Sequence, residues 1–177
     1  MEDITLDLSK ITRLSRRLRI MTLIVLIGTW ATFALVAKFN GIATLLPVPK
    51  NMTVDLSMLS SFSLTLVYML AAIKPAAFIP VLYFLYKLFA LCQEGKVFTS
   101  ENIKFIRYTG FSLMAIDLIF ILQSALTGPV LSWLGAVEPY FSLDLAISYL
   151  IIGLFVELIS RVMDMGRQLQ EYQDLIV

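Results

Sequence analysis

Four ionisable side chains, Lys74, Asp117, Glu157 and Arg161, fall within or at the edge of stretches that are otherwise apolar. A charge at the centre of a hydrocarbon layer costs about 2.5–3.5 kcal/mol on insertion scales, so each such group has to be paired, wetted or used. Counting along helices from their inner ends, at about 1.5 Å per residue, puts Asp117 roughly 18 Å deep and Lys74 roughly 25 Å deep. A lysine stem spans that difference, so the sequence predicts a Lys74–Asp117 pair between neighbouring spans. Glu157 lies roughly 9 Å from the inner face by the same count, with Lys87 at similar depth. Arg161 follows Glu157 by one helical turn, in the favourable acid-first order. Gly110, Asp117 and Ser124 recur every seven residues, as do Gly153 and Ser160 with Glu157 on an overlapping face, so these polar atoms are expected to point inward. The chemistry open to such a set is a proton or ion relay through Asp117, or a structural seam that fixes helix register. Without a continuous acidic chain, the seam is the plainer reading.

Other chemistry finds little support. The 177 residues include no histidine and one cysteine, Cys92, so side-chain metal clusters, haem ligation, a Cys–His pair and an internal disulfide are not expected. No nucleophile–base pair stands out, and neither an enzyme nor a cofactor is predicted. Cys92 reads as a small apolar residue at the inner end of a span, with acylation as the alternative. The chain is 59% hydrophobic and 15% charged, against about a quarter charged in soluble domains. Mean hydropathy is +0.85. A water-soluble globule is excluded on this balance. The net charge of +1 says little, so the distribution of charge carries the topology.

The elements that must position these groups follow from periodicity. Residues 1–8 alternate, with Ile4, Leu6 and Leu8 on one side, which predicts a short strand. The spacing of Leu8, Ile11, Ser15 and Leu18 is helical, and Lys10, Arg13, Arg16, Arg17 and Arg19 make residues 1–19 a basic amphipathic lead-in suited to anionic lipid. Residues 20–37 form the first span, too long for a signal-peptide core. Residues 38–70 are an outer loop with a turn at Asn40-Gly41, prolines at 47 and 49, and an apolar portion, 58–70, that is either an interfacial helix or a protected part of the loop. The second span is 71–91 and the third 105–126, the latter stopped by Gly128-Pro129. An outer loop, 127–142, sets Trp133 and Tyr140 at headgroup level. The fourth span is 143–163 and the tail 164–177.

Ten lysines and arginines lie in the N-terminal segment, the 92–104 hinge and the tail, against Lys38 and Lys50 in the alternate loops. The positive-inside rule then puts both termini and the hinge in the cytoplasm, and the fold class expected is an all-α, four-span up-down bundle.

The hinge has well-formed turn signals. Gly95 suits a helix end with positive φ, Thr99 reads as an N-cap flanked by a Phe98–Ile103 staple, and Glu101 complements the first turn. In the tail, Val162, Met165, Leu169, Tyr172 and Ile176 form a three-and-four stripe, with Asp164, Arg167 and Glu171 elsewhere. Such a stripe can receive a partner helix or fold back. The last four residues, Asp174 to Val177, are alternatively a strand that pairs with Ile4–Leu8.

The hinge residues Gly95, Val97, Phe98, Thr99 and Asn102, followed by Ile106-Arg107 and Gly110, resemble the "G-x-hydrophobic-F-T-x-x-N … hydrophobic-R … G" segment of the bacterial membrane-protein family called domain of unknown function 2975. Residues 166–177 resemble its "G-x-x-L-x-E-E-Q-D-L-T-I/V" ending, with Tyr172 in place of an acid and Ile176 in place of a hydroxyl. The resemblance brings no established activity. It implies a small bacterial inner-membrane protein, often encoded beside a short helix-turn-helix regulator, whose shared cytoplasmic runs would form a docking surface: Phe98, Thr99, Asn102, Arg107, Leu169, Glu171, Gln173, Asp174 and Leu175.

Two function classes are carried forward. One is a non-enzymatic membrane regulator or scaffold that holds a cytoplasmic protein partner, with homo-oligomers allowed. The other is a small transporter or channel-like subunit that uses the intramembrane polar groups. Nucleic-acid binding is not expected, because the basic cluster at 10–19 adjoins a span and fits lipid headgroups better than a duplex.

Overall fold

A computed structural model describes residues 2–39, 41–49, 52–57, 59–95 and 99–174. Those residues form helices α1 (Glu2–Phe39), α2 (Ser61–Ala77), α3 (Ile79–Gln93), α4 (Ser100–Trp133) and α5 (Ser148–Asp174), with a 3₁₀ turn at Ile42–Leu45. No strand occurs among them. Three stretches among the described residues are long and apolar enough to cross a membrane: Ile11–Phe39, Ser61–Gln93 and Ser100–Trp133.

The N-terminal alternation is not a strand. Residues 2–10 continue α1, because Ile4, Leu8, Ile11 and Leu18 also satisfy helical spacing, and extending an existing helix costs far less than nucleating one. The proposed pairing of termini fails with it: Ile4–Leu8 is helical and α5 runs to Asp174, while residues 175–177 lie outside the described chain.

The apolar portion 58–70 is neither loop nor separate interfacial element. From Ser61 it belongs to α2, whose start is capped by the Ser60 hydroxyl accepting from the Ser63 amide at 3.2 Å. Only Phe78, itself with helical φ/ψ, separates α2 from α3. The break follows from Pro75 and Pro80, which remove the amides that would bond the carbonyls of Ala71 and Ala76.

Gly128-Pro129 does not stop α4, which continues to Trp133. One missing amide is tolerated within an apolar helix, and the turn signal acts later, at Gly135 with φ +73°. The fourth apolar stretch changes as well: helix begins at Ser148 rather than 143, and residues 139–147 have no regular structure.

The chain forms two compact units. One comprises residues 1–27, 79–114 and 148–177. In it Gly110 and Gly153 bring α4 and α5 close together, and Arg19 of α1 reaches Tyr86 and Gln93 of α3. The other comprises residues 28–78 and 115–147. Its apolar core is Ile42, Leu46, Val67, Leu70, Ala71, Leu131 and Ala136. The Asp55 amide bonds the Ala136 carbonyl at 3.0 Å, which ties its two loops together.

Candidate functional site

The buried face of α4 is an unusual stripe. Asn102-Ile103, Thr109-Gly110, Ile116-Asp117 and Gln123-Ser124 are all buried, four adjacent pairs at seven-residue intervals. Thr127, Gly128 and Leu131 extend it. Its other faces expose Phe111, Leu118, Leu122 and Leu126. Polar and small residues inside, with large apolar residues outside, is the pattern of a helix solvated by lipid and packed through close backbone contacts and hydrogen bonds.

The hinge opens this helix. Gly95 takes φ +78°, and the Thr99 hydroxyl accepts the Asn102 amide at 3.3 Å as the N-cap. Asn102 is 1% exposed, and its side-chain amide approaches Cys92 Sγ at 3.6 Å. This corrects its assignment to a docking surface, because the side chain is consumed in holding α3 and α4 together. Phe98, and with it the staple, lies outside the described residues.

In the first unit, Glu157 sits between two arginines. Its carboxylate is 3.0 Å from Arg161 Nε and 3.7 Å from Arg107 Nε. The Glu157 side chain is 12% exposed, while Arg107 and Arg161 reach outward. Arg107, assigned to docking from sequence, is thus part of an α4–α5 ion cluster. One turn away, the Ser160 hydroxyl donates to the Ile103 carbonyl at 3.4 Å.

In the second unit, Asp117 is 1% exposed on α4. The Lys74 ammonium lies over the Phe120 ring, 5.7 Å from its centroid, one turn beyond Asp117. Gln123 donates to the Leu70 carbonyl at 2.8 Å and links α4 to α2. The carbonyl is available because Lys74 at the fourth position beyond it is followed by Pro75, where the helix ladder is interrupted. Ser124 donates to the Ile121 carbonyl and accepts the Asp144 amide at 3.0 Å, while Ser142 donates to the Ser124 carbonyl. Residues 142–144 are therefore bonded along α4. Gly128 permits the same approach, since a Cβ there would stand 2.2 Å from the Tyr140 carbonyl oxygen. Burial pushes the Tyr140 phenol above its usual range.

Beyond Ser160, α5 continues as a helix with Val162, Met165, Leu169 and Tyr172 between 55 and 66% exposed. Arg167 bonds Asp164 at 3.2 Å and also pairs with Glu171. The hydrogen bond from Asp164, more than the neighbouring charge of Glu171, holds the Arg167 guanidinium above its usual range. Gln173 is exposed. Asp174 ends the helix, and Leu175 lies outside the described residues.

Among these, the sequence spacing located Gly110, Asp117, Ser124, Gly153 and Ser160. It missed the parallel row Asn102, Thr109 and Gln123, for which the same seven-residue interval, shifted by one position, was the available signal.

The arrangement is shared with a known group of sequences: a family described as "Protein of unknown function (DUF2975)" matches residues 48–177. The chain belongs to this family. The match covers the α4 stripe, Glu157 and the whole tail, and leaves α1 outside. No curated protein and no solved structure matches the chain.

Proposed function

We propose that this family member is a non-enzymatic, four-span protein of the bacterial inner membrane with both termini in the cytoplasm, and that it regulates or scaffolds by holding a cytoplasmic protein partner on its tail. The observation that carries the reading is the exposed stripe of α5. Val162, Met165, Leu169 and Tyr172 follow one another at three- and four-residue steps, while Asp164, Arg167 and Glu171 satisfy each other on a different face. Beyond a membrane, such a stripe is an unpaid exposure of apolar surface that a partner helix covers. The hinge adds Thr99 and the masked neighbourhood of Phe98 less directly. A small helix-turn-helix transcription regulator is the partner class that the family resemblance suggests.

The test is co-purification from native membranes with a chain ending at Arg161, and with Leu169→Glu in the full chain. Loss of a partner in both supports the reading. Retention of every partner by the shortened chain ends it.

A second reading, a small transporter or channel-like subunit, draws on the burial of Asp117 inside an apolar span. Against it, Gln123, Ser124 and Thr127 donate to backbone carbonyls of Leu70, Ile121 and Gln123 instead of continuing a side-chain relay. Proteoliposome flux that falls with Asp117→Asn supports this alternative, and flux indifferent to it removes it.

A further inference from the structure

We propose that the groove between α1 and α3 is a binding site for one anionic phospholipid, with the phosphate held at Arg19 and Lys87 and an acyl chain lying along the trough. The groove encloses about 400 Å³ and is lined by Thr22, Leu23 and Leu26 of α1 and Ile79, Leu82, Tyr83, Tyr86 and Lys87 of α3. Its residues recur at three- and four-residue steps on both helices, so one continuous face of each forms a wall. No carboxylate occurs among the lining residues.

The two ends differ in chemistry. Leu26 and Ile79 close one end with hydrocarbon. Toward the other, the Arg19 guanidinium lies 4.4 Å from the Tyr86 ring centroid and donates to the Tyr86 hydroxyl and, at 3.3 Å, to Gln93 Oε1. These two bonds fix the cation in place and use two of the five N–H groups that an arginine carries. The Lys87 ammonium stands over the Tyr83 ring, 5.9 Å from its centroid, on the same wall. Arg13, Arg16 and Arg17, all exposed, continue the positive charge along the preceding turns of α1.

A fixed cation at the mouth of an apolar trough selects among ligands. From Arg19 to Leu26 the trough extends roughly 10 Å, seven helical steps, which matches the upper part of an acyl chain. A free inorganic anion gains nothing from the apolar walls. A zwitterionic lipid brings its own ammonium to a site already rich in cations and carries no net charge to be attracted there. An anionic lipid satisfies both ends.

Native mass spectrometry of the full chain in detergent, titrated with phosphatidylglycerol and separately with phosphatidylcholine, tests this. Phosphatidylglycerol is expected to be retained about tenfold more tightly, a preference abolished by Arg19→Gln with Lys87→Gln and kept by Arg13→Gln. Lys87→Gln alone, at an exposed position that packs on nothing else, is expected to lower the preference severalfold and covers the case in which the double variant fails to fold. Leu26→Trp, which fills the trough and leaves both cations, is expected to weaken retention of phosphatidylglycerol. Equal retention of the two lipids by the wild-type chain, a preference unchanged in Lys87→Gln, or displacement by inorganic phosphate at the concentration of the lipid overturns the proposal. So does a lipid-free dimer that forms in place of the lipid-bound species, since a second copy then covers the groove.

Discussion

Gly110 of α4 and Gly153 of α5 meet backbone to backbone: a Cβ on Gly153 would stand 2.6 Å from the Gly110 carbonyl oxygen and equally close to the Met114 side chain. Met114 can swing away, but the carbonyl cannot, so any side chain at 153 pushes the helices apart. Where two helices associate without a hydrophobic drive between them, close backbone approach is a large share of what holds them. Gly153→Ala is expected to cost about 1–3 kcal/mol, as overpacking does, read as a lowered midpoint of unfolding in mixed micelles. Gly28→Ala on α1, where nothing lies within 4 Å, is the matched control and is expected to be neutral or slightly stabilising.

The ion cluster beside that crossing makes a second prediction. Glu157→Gln leaves the Arg107 and Arg161 guanidiniums facing one another's charge with no carboxylate between them. Both arginines are partly exposed, so solvent screens most of the loss, and about 1 kcal/mol is expected. Arg161→Gln, at the more exposed end, is expected to cost less than Arg107→Gln, because Arg107 is the link between helices. Chemical unfolding of the three variants in one detergent orders them. A Glu157→Gln chain as stable as the wild type contradicts this account.

Gln123 makes a third. Its side-chain amide bonds the Leu70 carbonyl across two helices at 2.8 Å, in a place closed to water. Gln123→Leu removes the donor and leaves that carbonyl without it, at a cost of about 0.6–1.7 kcal/mol by the range measured for bonds between membrane helices. Infrared spectroscopy of the chain labelled at the Leu70 carbonyl is expected to show a shift to higher frequency in the variant.

What the sequence made legible, and what it hid, follows from how local each signal is. Gly95 and Thr99 announce the hinge because a positive φ and a capping hydroxyl are decided within four residues. The apolar runs announce the membrane because composition alone decides them. Gly128-Pro129 misled, since the same dipeptide that ends a helix in water also lets residues 139–147 lie against a helix that goes on. The row of Asn102, Thr109 and Gln123 escaped notice because each reads separately as an ordinary polar residue. Only its register beside Ile103, Gly110 and Ser124 gives it away. Ile4, Leu6 and Leu8 fit two periods at once, and the length of the helix behind them decided between the two.

The Asp55 turn predicts a pH response outside the spans. The Asp55 carboxylate accepts from the Ser57 hydroxyl and, at 2.9 Å, from the Ser57 amide, and these bonds hold its carboxyl below the ordinary value of 3.8. A depressed folded value means the stabilisation is fully present above 3.8 and is lost as pH falls through the lowered value. Hydrogen exchange in residues 52–57 is therefore expected to be protected equally at neutral and mildly acidic pH and to lose protection only under stronger acid. Asp55→Asn removes the step. Protection that declines between neutrality and mild acid assigns the response to another group.

The sharpest prediction concerns the end of the chain, because α5 decides whether the protein crosses its membrane three times or four. The helix is apolar from Ser148 to Ser160, about 20 Å at 1.5 Å per residue, against a hydrocarbon layer about 30 Å thick. Residues 141–147 precede it, apolar but for Ser142 and Asp144, and two bonds to Ser124 and one carbonyl contact at Gly128 occupy part of their backbone. Non-helical backbone is tolerated at membrane depth where protein satisfies it, so the two pieces together are long enough for a fourth crossing. The arginines at 161 and 167 then lie on the side of Arg13, Arg16 and Arg17, as the positive-inside rule requires. Reporter fusions at the N-terminus and after Gln173 are both expected to be active in the cytoplasm, with a fusion after Glu138 active outside. A reporter after Gln173 that is active outside makes α5 an outer-face helix, removes the cytoplasmic tail, and with it the partner proposed to dock there.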